Sequence, residues 1–325
     1  MELHLTTDQF RLAQTFTISR GSRDIAEVVT VTLRDGDHRG WGECLPYARY
    51  EETLDSVSEQ IESMRGDLAN GIDRLELINA MPAGAARNAI DCALWDLEAK
   101  RSKTPVWRLA GISEPSSVVS AYTLSLETPD KMRATAAEHA FRPLLKIKLG
   151  GTGDIERLRA VREGAPESTL IVDANEGWTA QTYDELAPVM LDLGVSMVEQ
   201  PLPAASDSAL SGRDRPLPVC ADESCHDTQS LDQLGGKYDM VNIKLDKTGG
   251  LTEALRLRDH AQAAGFQVMV GCMVCSSLAM APALLVAQGA DVVDLDGPLL
   301  LAEDRTPAMQ FVGSELNPAP IALWG

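Results

Sequence analysis

The feature that most restricts the fold is a rhythm that begins near residue 117. Short apolar runs recur from there, each ending in polar residues and each followed by a helix-like segment. The runs end at Thr123, Lys148, Asp173, Glu199, Asp222, Lys244, Cys272 and Asp294. These ends stand roughly 25 residues apart, the pitch of one strand with its return helix. Eight even repeats predict an α/β barrel of the TIM type, because an open doubly wound sheet seldom gives so many.

The residues before the rhythm read differently. Ala26 to Leu33 is strand-like, Asp35-Gly36-Asp37 makes a turn, and Gly40-Trp41-Gly42-Glu43 starts a return segment. A helix is predicted from Ala85 to Lys100, with Ile90, Leu94 and Leu97 on one face, and Thr104-Pro105 stops it. The expected organisation is an α+β domain over 1–115, a barrel over 116–299, and a proline-bearing tail, 300–325, that returns to the first domain. Gly150-Gly151-Thr152-Gly153 follows a strand, but Glu156 stands where a dinucleotide fingerprint needs its third glycine, so a plain loop is expected.

Charge narrows the partners. A net charge of −19 opposes nucleic acid and anionic membranes at long range, so an anionic substrate must meet local cations. Met1-Glu2-Leu3-His4 does not begin a secretory signal, and the apolar window from Val268 to Ala287 is broken by Gly271, Ser276, Ser277 and Pro282. That window predicts a buried strand, a loop and a helix, and the protein is expected in the cytoplasm. An assembly of identical copies is compatible with the sequence. The six cysteines read as small buried hydrophobes, the alternative being a zinc site from Cys272, Cys275, Cys220, Cys225 and His226.

In a parallel barrel the chemistry sits at the C-terminal ends of the strands. The third, fourth and fifth ends, Asp173, Glu199 and Asp222, would bring carboxylates together that repel unless a cation lies between them. An all-oxygen set of this kind suits Mg²⁺. Each carboxylate alone could equally cap a helix or pair with a loop cation. Lys146 and Lys148, two apart on the second strand, face the same way. Lys244 ends the sixth strand, diametrically opposite in a ring of eight. Amines on opposed sides could remove a proton from one face of a substrate and return one to the other. The ordinary lysine pKa, near 10.4, would have to be lowered by a metal and a neighbouring ammonium. Asp294 and Asp296, on the last strand, could take a cationic group at the far end of the substrate.

These residues also carry a resemblance. Lys146-Ile147-Lys148, Asp173-Ala174-Asn175, Glu199-Gln200-Pro201, Asp222-Glu223-Ser224 and Asn242-Ile243-Lys244 are similar to successive active-site motifs of the muconate-lactonising subgroup of the enolase superfamily. Asp294-Leu295-Asp296 resembles the hallmark of its dipeptide epimerases. Agreement extends through Arg20-Gly21-Ser22-Arg23, Pro82 to Asn88, Cys220 to His226 and Lys244 to Gly250, covering essentially the whole chain. The resemblance implies a capping domain over a modified (β/α)₇β barrel. It implies Asp173, Glu199 and Asp222 as Mg²⁺ ligands, Lys148 and Lys244 as the acid/base pair, and Lys146 as a stabiliser of the enediolate, a pattern general to this superfamily.

By the same resemblance Asp294 and Asp296 hold the substrate's ammonium, Thr123 and Cys272 line its site, and Arg23 pairs with a glutamate side chain. The implied reaction epimerises the second residue of a dipeptide, L-Ala-D-Glu to L-Ala-L-Glu, in recycling of murein peptides. Tyr122 and Ser125, flanking Thr123, depart from the pattern. Competing readings are an o-succinylbenzoate synthase, an N-acylamino acid racemase, or a non-catalytic barrel that only binds a small molecule. The two aspartates favour a substrate with a free ammonium.

Overall fold

The computed structural model describes all 325 residues. Its first part is an antiparallel sheet of β1 (Glu2–Ile18), β2 (Gly21–Asp35) and β3 (His38–Cys44), in that order. The helix Ala85–Ser102 lies directly on β3. Gly40 and Gly42 permit this approach: a Cβ at either would sit about 2 Å from the carbonyl oxygens of Ala93 and Ala89. Val29, Val31 and Leu33 of β2 pack with Ile90, Leu94 and Leu97 of the helix into a separate core. The turn before β3 and the start of this helix fall where the sequence places them. The length of β1 does not emerge from the sequence, because its residues alternate only weakly between buried and exposed.

After β4 (Val118–Val119), eight parallel strands follow: β5 (Tyr122–Leu124), β6 (Leu144–Lys148), β7 (Thr169–Asp173), β8 (Val195–Glu199), β9 (Val219–Ala221), β10 (Met240–Ile243), β11 (Gln267–Gly271) and β12 (Val292–Asp294). They lie side by side in chain order. Four of the expected ends, Lys148, Asp173, Glu199 and Asp294, are the last strand residues. Asp222, Lys244 and Cys272 come one residue past theirs, and Thr123 one before, which is the ordinary blurring of a strand boundary. The window from Val268 forms a buried strand and the helix Ser277–Val286. No helix is long and apolar enough to cross a membrane.

The tail divides its contacts. Leu301 bridges Leu12, Arg305 reaches Asp8, Thr30 and Glu43, and the Trp324 indole donates to the Cys92 carbonyl. Between them β14 (Glu315–Leu316) pairs with β4, and β13 (Phe311–Val312) with β14.

The two halves are clamped by polar side chains of the Ala85–Ser102 helix. Asp91 accepts from the Thr252 amide at 2.9 Å and its hydroxyl at 2.5 Å, capping the barrel helix Leu251–Ala263 from outside. Gly250, at φ +113°, leaves no room for a Cβ beside that carboxylate. Burial pushes the Asp91 carboxyl up to about 6, against the hydrogen bonds from Thr252. A raised carboxyl pKa means the folded state holds its proton more tightly than the unfolded one. That stabilisation is complete below about pH 4 and is lost as pH rises through about 6. We therefore expect the stability of wild type relative to Asp91→Asn to fall by about 2 kcal/mol between pH 4 and 7. Urea unfolding of both proteins across that range measures it, and a flat difference would refute the assignment.

Candidate active site

A cavity opens between the C-terminal ends of the barrel strands and the cap. It encloses about 610 Å³ of space, the open solvent at its mouth included. The barrel contributes Thr123, Lys146, Lys148, Asp222, Lys244, Cys272, Asp294 and Asp296, and the cap contributes Arg23. Phe16, Ile18, Met273 and Leu300 supply apolar wall. Asp173 and Glu199 do not line the cavity. They lie beneath it, fully buried.

Ammonium groups lie among the carboxylates. Lys148 donates to Asp173 at 2.6 Å, and Lys146 lies 3.2 Å from Asp173, 2.6 Å from Glu199 and 2.7 Å from Asp294. On the other side Lys244 donates to Asp222 at 2.6 Å. The sequence argument put a single cation between three carboxylates. Here no three carboxylates, histidines or cysteines surround one point, and lysines occupy the positions between. The donor set still fits a hard cation: three adjacent strand ends supply only carboxylate oxygens, and Glu199 Oε2, completely buried, meets only the Lys146 ammonium.

The charges shift each other as that packing requires. Burial raises a carboxyl, but for Asp173 the Lys148 and Lys146 ammonium groups outweigh it and hold the group well below the usual range. Asp222 is lowered too, burial being outweighed by Lys244 and Lys247. Glu199 goes the other way, raised by burial and by the Asp173 charge. Burial pulls Lys146 and Lys244 down, yet the carboxylates around them hold both well above the ordinary ammonium value. The lowering expected from sequence is that of the site with its metal bound, where the cation shares these carboxylates. Asp296 is pushed up to about 7 by burial and by Asp294.

Several residues that carried no assigned role in the sequence analysis hold the site in place. Asn242 donates to Glu199 Oε1 at 2.7 Å. Gln200, in the left-handed region at φ 35°, accepts from the amides of Asp222 and Ser224 and donates to Leu202, Ser224 and Tyr238. Asn175 and Glu176 are also left-handed. Such backbone persists only where surrounding bonds impose it, and it gathers at functional loops. Lys247 is fully buried, donating to the Asp222 carbonyl and carboxylate at 2.5 and 2.6 Å and to the Asn242 carbonyl at 2.9 Å. A lysine with so little exposure and one such role was visible in sequence only as part of the Lys244 to Gly250 motif.

On the cap side the two arginines differ. Arg20 is saturated: it donates to the Asn175 carbonyl, the Tyr47 hydroxyl, Glu176 and Glu223. Arg23 has no ion pair or hydrogen bond from its side chain and lies 5.7 Å from the centre of the Tyr47 ring. It is the cavity's uncommitted guanidinium.

The comparisons with known proteins agree with this geometry. Residues 1–111 match the mandelate racemase / muconate lactonizing enzyme N-terminal domain, and residues 127–298 the enolase C-terminal domain-like family. The chain belongs to the enolase superfamily, in its mandelate racemase and muconate lactonizing enzyme family. It is 50% identical to an L-Ala-D/L-Glu epimerase of Escherichia coli K12, over 93% of this chain and 95% of that one. It is 45% identical to an N-acetyl-D-glutamate racemase of a Pseudoalteromonas species, over 92% and 95%. Among solved structures, an enolase family member from Agrobacterium tumefaciens with bound sodium and L-Ala-L-Glu superposes with a TM-score of 0.98 at 52% identity, covering 99% of both chains. A dipeptide epimerase from Enterococcus faecalis, complexed with Mg and L-Leu-L-Tyr, gives 0.90 at 28% identity, covering 98% and 96%. Its family membership makes the N-terminal sheet and helices a capping domain and the barrel a catalytic one.

Lys247 offers a direct check on how the site is held. Lys247→Met leaves the Asp222 charge short of one partner and takes one donor from each of two carbonyls. Breaking a buried pair in this way costs about 3–5 kcal/mol. We expect the loss in urea unfolding, and a change under about 1 kcal/mol would show that Lys247 carries little of the site's stability.

Proposed function

We propose that the protein is a Mg²⁺-dependent dipeptide epimerase, converting L-Ala-D-Glu and L-Ala-L-Glu into each other during recycling of murein peptides in the cytoplasm. The observation that carries this reading is one cavity with Lys148 and Lys244 at ends of strands four places apart, Asp294 and Asp296 beside them and Arg23 above. Domain boundaries near residues 115 and 299 suit it, with the tail shared between cap and barrel.

Asp173, Glu199 and Asp222 are the residues that would hold Mg²⁺. When bound, the ion supplies positive charge to the substrate carboxylate and neutralises the carboxylates that now raise Lys244. The chain's own groups do the rest. One lysine takes the α-proton; the C–H electron pair passes into the carboxylate as an enediolate. The opposed lysine, in its ammonium form, gives a proton to the other face of the same carbon. Each amine later exchanges with solvent, so the enzyme returns to its starting state whichever direction was run. Lys146, fixed among three carboxylates, adds fixed positive charge beside the enediolate. Asp294 and Asp296 receive the ammonium of the first residue, and Arg23 the side-chain carboxylate of the second. The apolar wall keeps water from the reacting carbon.

The relative that racemises N-acetyl-D-glutamate motivates a second reading, racemisation of N-acylglutamates. Such substrates present no ammonium to Asp294 and Asp296, and on that ground we place the dipeptide first. Turnover of L-Ala-D-Glu and N-acetyl-D-glutamate by one preparation, with Mg²⁺ and after chelation, separates the readings. Greater kcat/KM for the acetyl compound would reverse their order, and full turnover without metal would refute the ligand set.

The lysines can be assigned individually. Lys148→Ala is expected to lose solvent exchange of the α-proton from the D-configured epimer, Lys244→Ala from the L-configured one, and both to lose net epimerisation. Epimerisation at the wild-type rate by either variant would exclude a two-base mechanism.

Arg23 governs the side chain. A charge-assisted pair contributes about 1.5–3 kcal/mol, so Arg23→Leu should lower kcat/KM for L-Ala-L-Glu by roughly 10- to 150-fold. L-Ala-L-Leu should change little, since no charge is lost to it. An unchanged ratio between the two substrates would remove Arg23 from the binding site.

A further inference from the structure

The two faces of the site are supported unequally. Lys244 is followed at once by a short helix, Leu245–Thr248, and this segment is gripped by the cap. Asn88 donates to Asp246 Oδ1 at 2.9 Å, and the Leu45 amide donates to the same oxygen at 3.2 Å. Arg87 donates to the carbonyls of Thr248 at 2.6 Å and Gly249 at 3.1 Å, and Asp91 holds Thr252. The Trp95 indole adds a bond to the Thr252 hydroxyl. Arg87, Asn88, Asp91 and Trp95 are one face of the long cap helix, all buried. The amides of Lys247 and Thr248 donate to the Lys244 carbonyl, so the helix they grip begins at Lys244 itself.

Nothing comparable reaches the strand of Lys148. The loop after β6 is tied within the barrel, where Asp154 accepts from the amides of Gly150 and Gly151 and from the Trp178 indole. The cap approaches Lys148 only by packing, with the Phe16 ring centre 6.0 Å from its Nζ.

We propose that Asn88 and Arg87 are positioning residues for Lys244 alone, so that the cap helix controls proton transfer on one face of the substrate and not on the other. The inference rests on the epimerase reading and deepens it. A lysine amine must sit within hydrogen-bond reach of the carbon-bound proton, and a displacement near 1 Å can cost about 100-fold. Asn88→Ala removes the shorter of the two hydrogen bonds to Asp246 and loosens the segment that sets the Lys244 backbone. Lys148, on its own strand, keeps its place.

The experiment measures deuterium uptake at the α-carbon in D₂O, with Mg²⁺ present, starting separately from L-Ala-L-Glu and L-Ala-D-Glu. For Asn88→Ala, uptake from the epimer served by Lys244 should fall about 10- to 100-fold, while uptake from the other stays within about 2-fold. Loss from both in parallel, or from neither, overturns the proposal. Asp246 supplies the test from the barrel side, should Asn88→Ala fail to fold. Asp246→Asn keeps an accepting oxygen and should preserve the ratio of the two exchange rates. Asp246→Ala should skew it as Asn88→Ala does, and equal ratios in the two Asp246 variants would also overturn it. Wild-type protein that exchanged neither epimer would remove the epimerase reading itself, a result distinct from a clamp that fails to discriminate.

Discussion

Lys146 sits with almost no exposure between Asp173, Glu199 and Asp294, within 3.2 Å of each. Carboxylates from neighbouring strands cannot share a dry barrel mouth without such a cation, since each would repel the next and neither could shed its charge into solvent. The arrangement therefore dictates much else. Lys148, Lys244 and Lys247 each take one flank of the same cluster, and Asn242 and Gln200 orient what the ammonium groups leave unsatisfied.

How much of this can be read from sequence depends on where the information lies. A barrel strand ends where the backbone leaves the ladder, and its last side chain faces the mouth. Lys148, Asp173, Glu199 and Asp294 are thus legible as a series, from spacing alone. Boundaries at Ala221, Ile243 and Gly271 blur by one residue without moving Asp222, Lys244 or Cys272 away from the mouth. Which ammonium meets which carboxylate is not legible, because it depends on distances among groups from different strands. Lys247 and Arg87 look like ordinary surface cations in a helical segment; their burial follows from the docking of cap on barrel.

That docking gives two quoted motifs a common cause. Pro82 to Asn88 and Lys244 to Gly250 lie some 160 residues apart in the chain but meet through Arg87 and Asn88. The glycines belong to the same joint. A Cβ at Gly249 would strike the Arg87 guanidinium at 2.4 Å, and one at Gly250 the Asp91 carboxylate at 2.5 Å. Both also have φ values favouring glycine, so the pair is required twice over, by conformation and by the clamp.

The seam of the barrel places the departures at Tyr122 and Ser125. β5 and β12 share no ladder, and the gap is closed by the Ala121 amide on the Val293 carbonyl, the Leu295 amide on Ser120, and the Thr123 amide on Asp296 at 2.6 Å. Asp296 thereby both closes the barrel and faces the cavity. Tyr122 and Ser125, on either side, do not line that cavity. Ser125 exchanges hydrogen bonds with the amide and carbonyl of Thr17 in β1, and Tyr122 lies against His139 and Arg142. Thr17 is next to Phe16 and Ile18, which form the cavity's apolar wall. The side chains beside Thr123 therefore bear on the cavity through the seating of the cap strand, not by lining it, and leave Asp294 and Asp296 as they are.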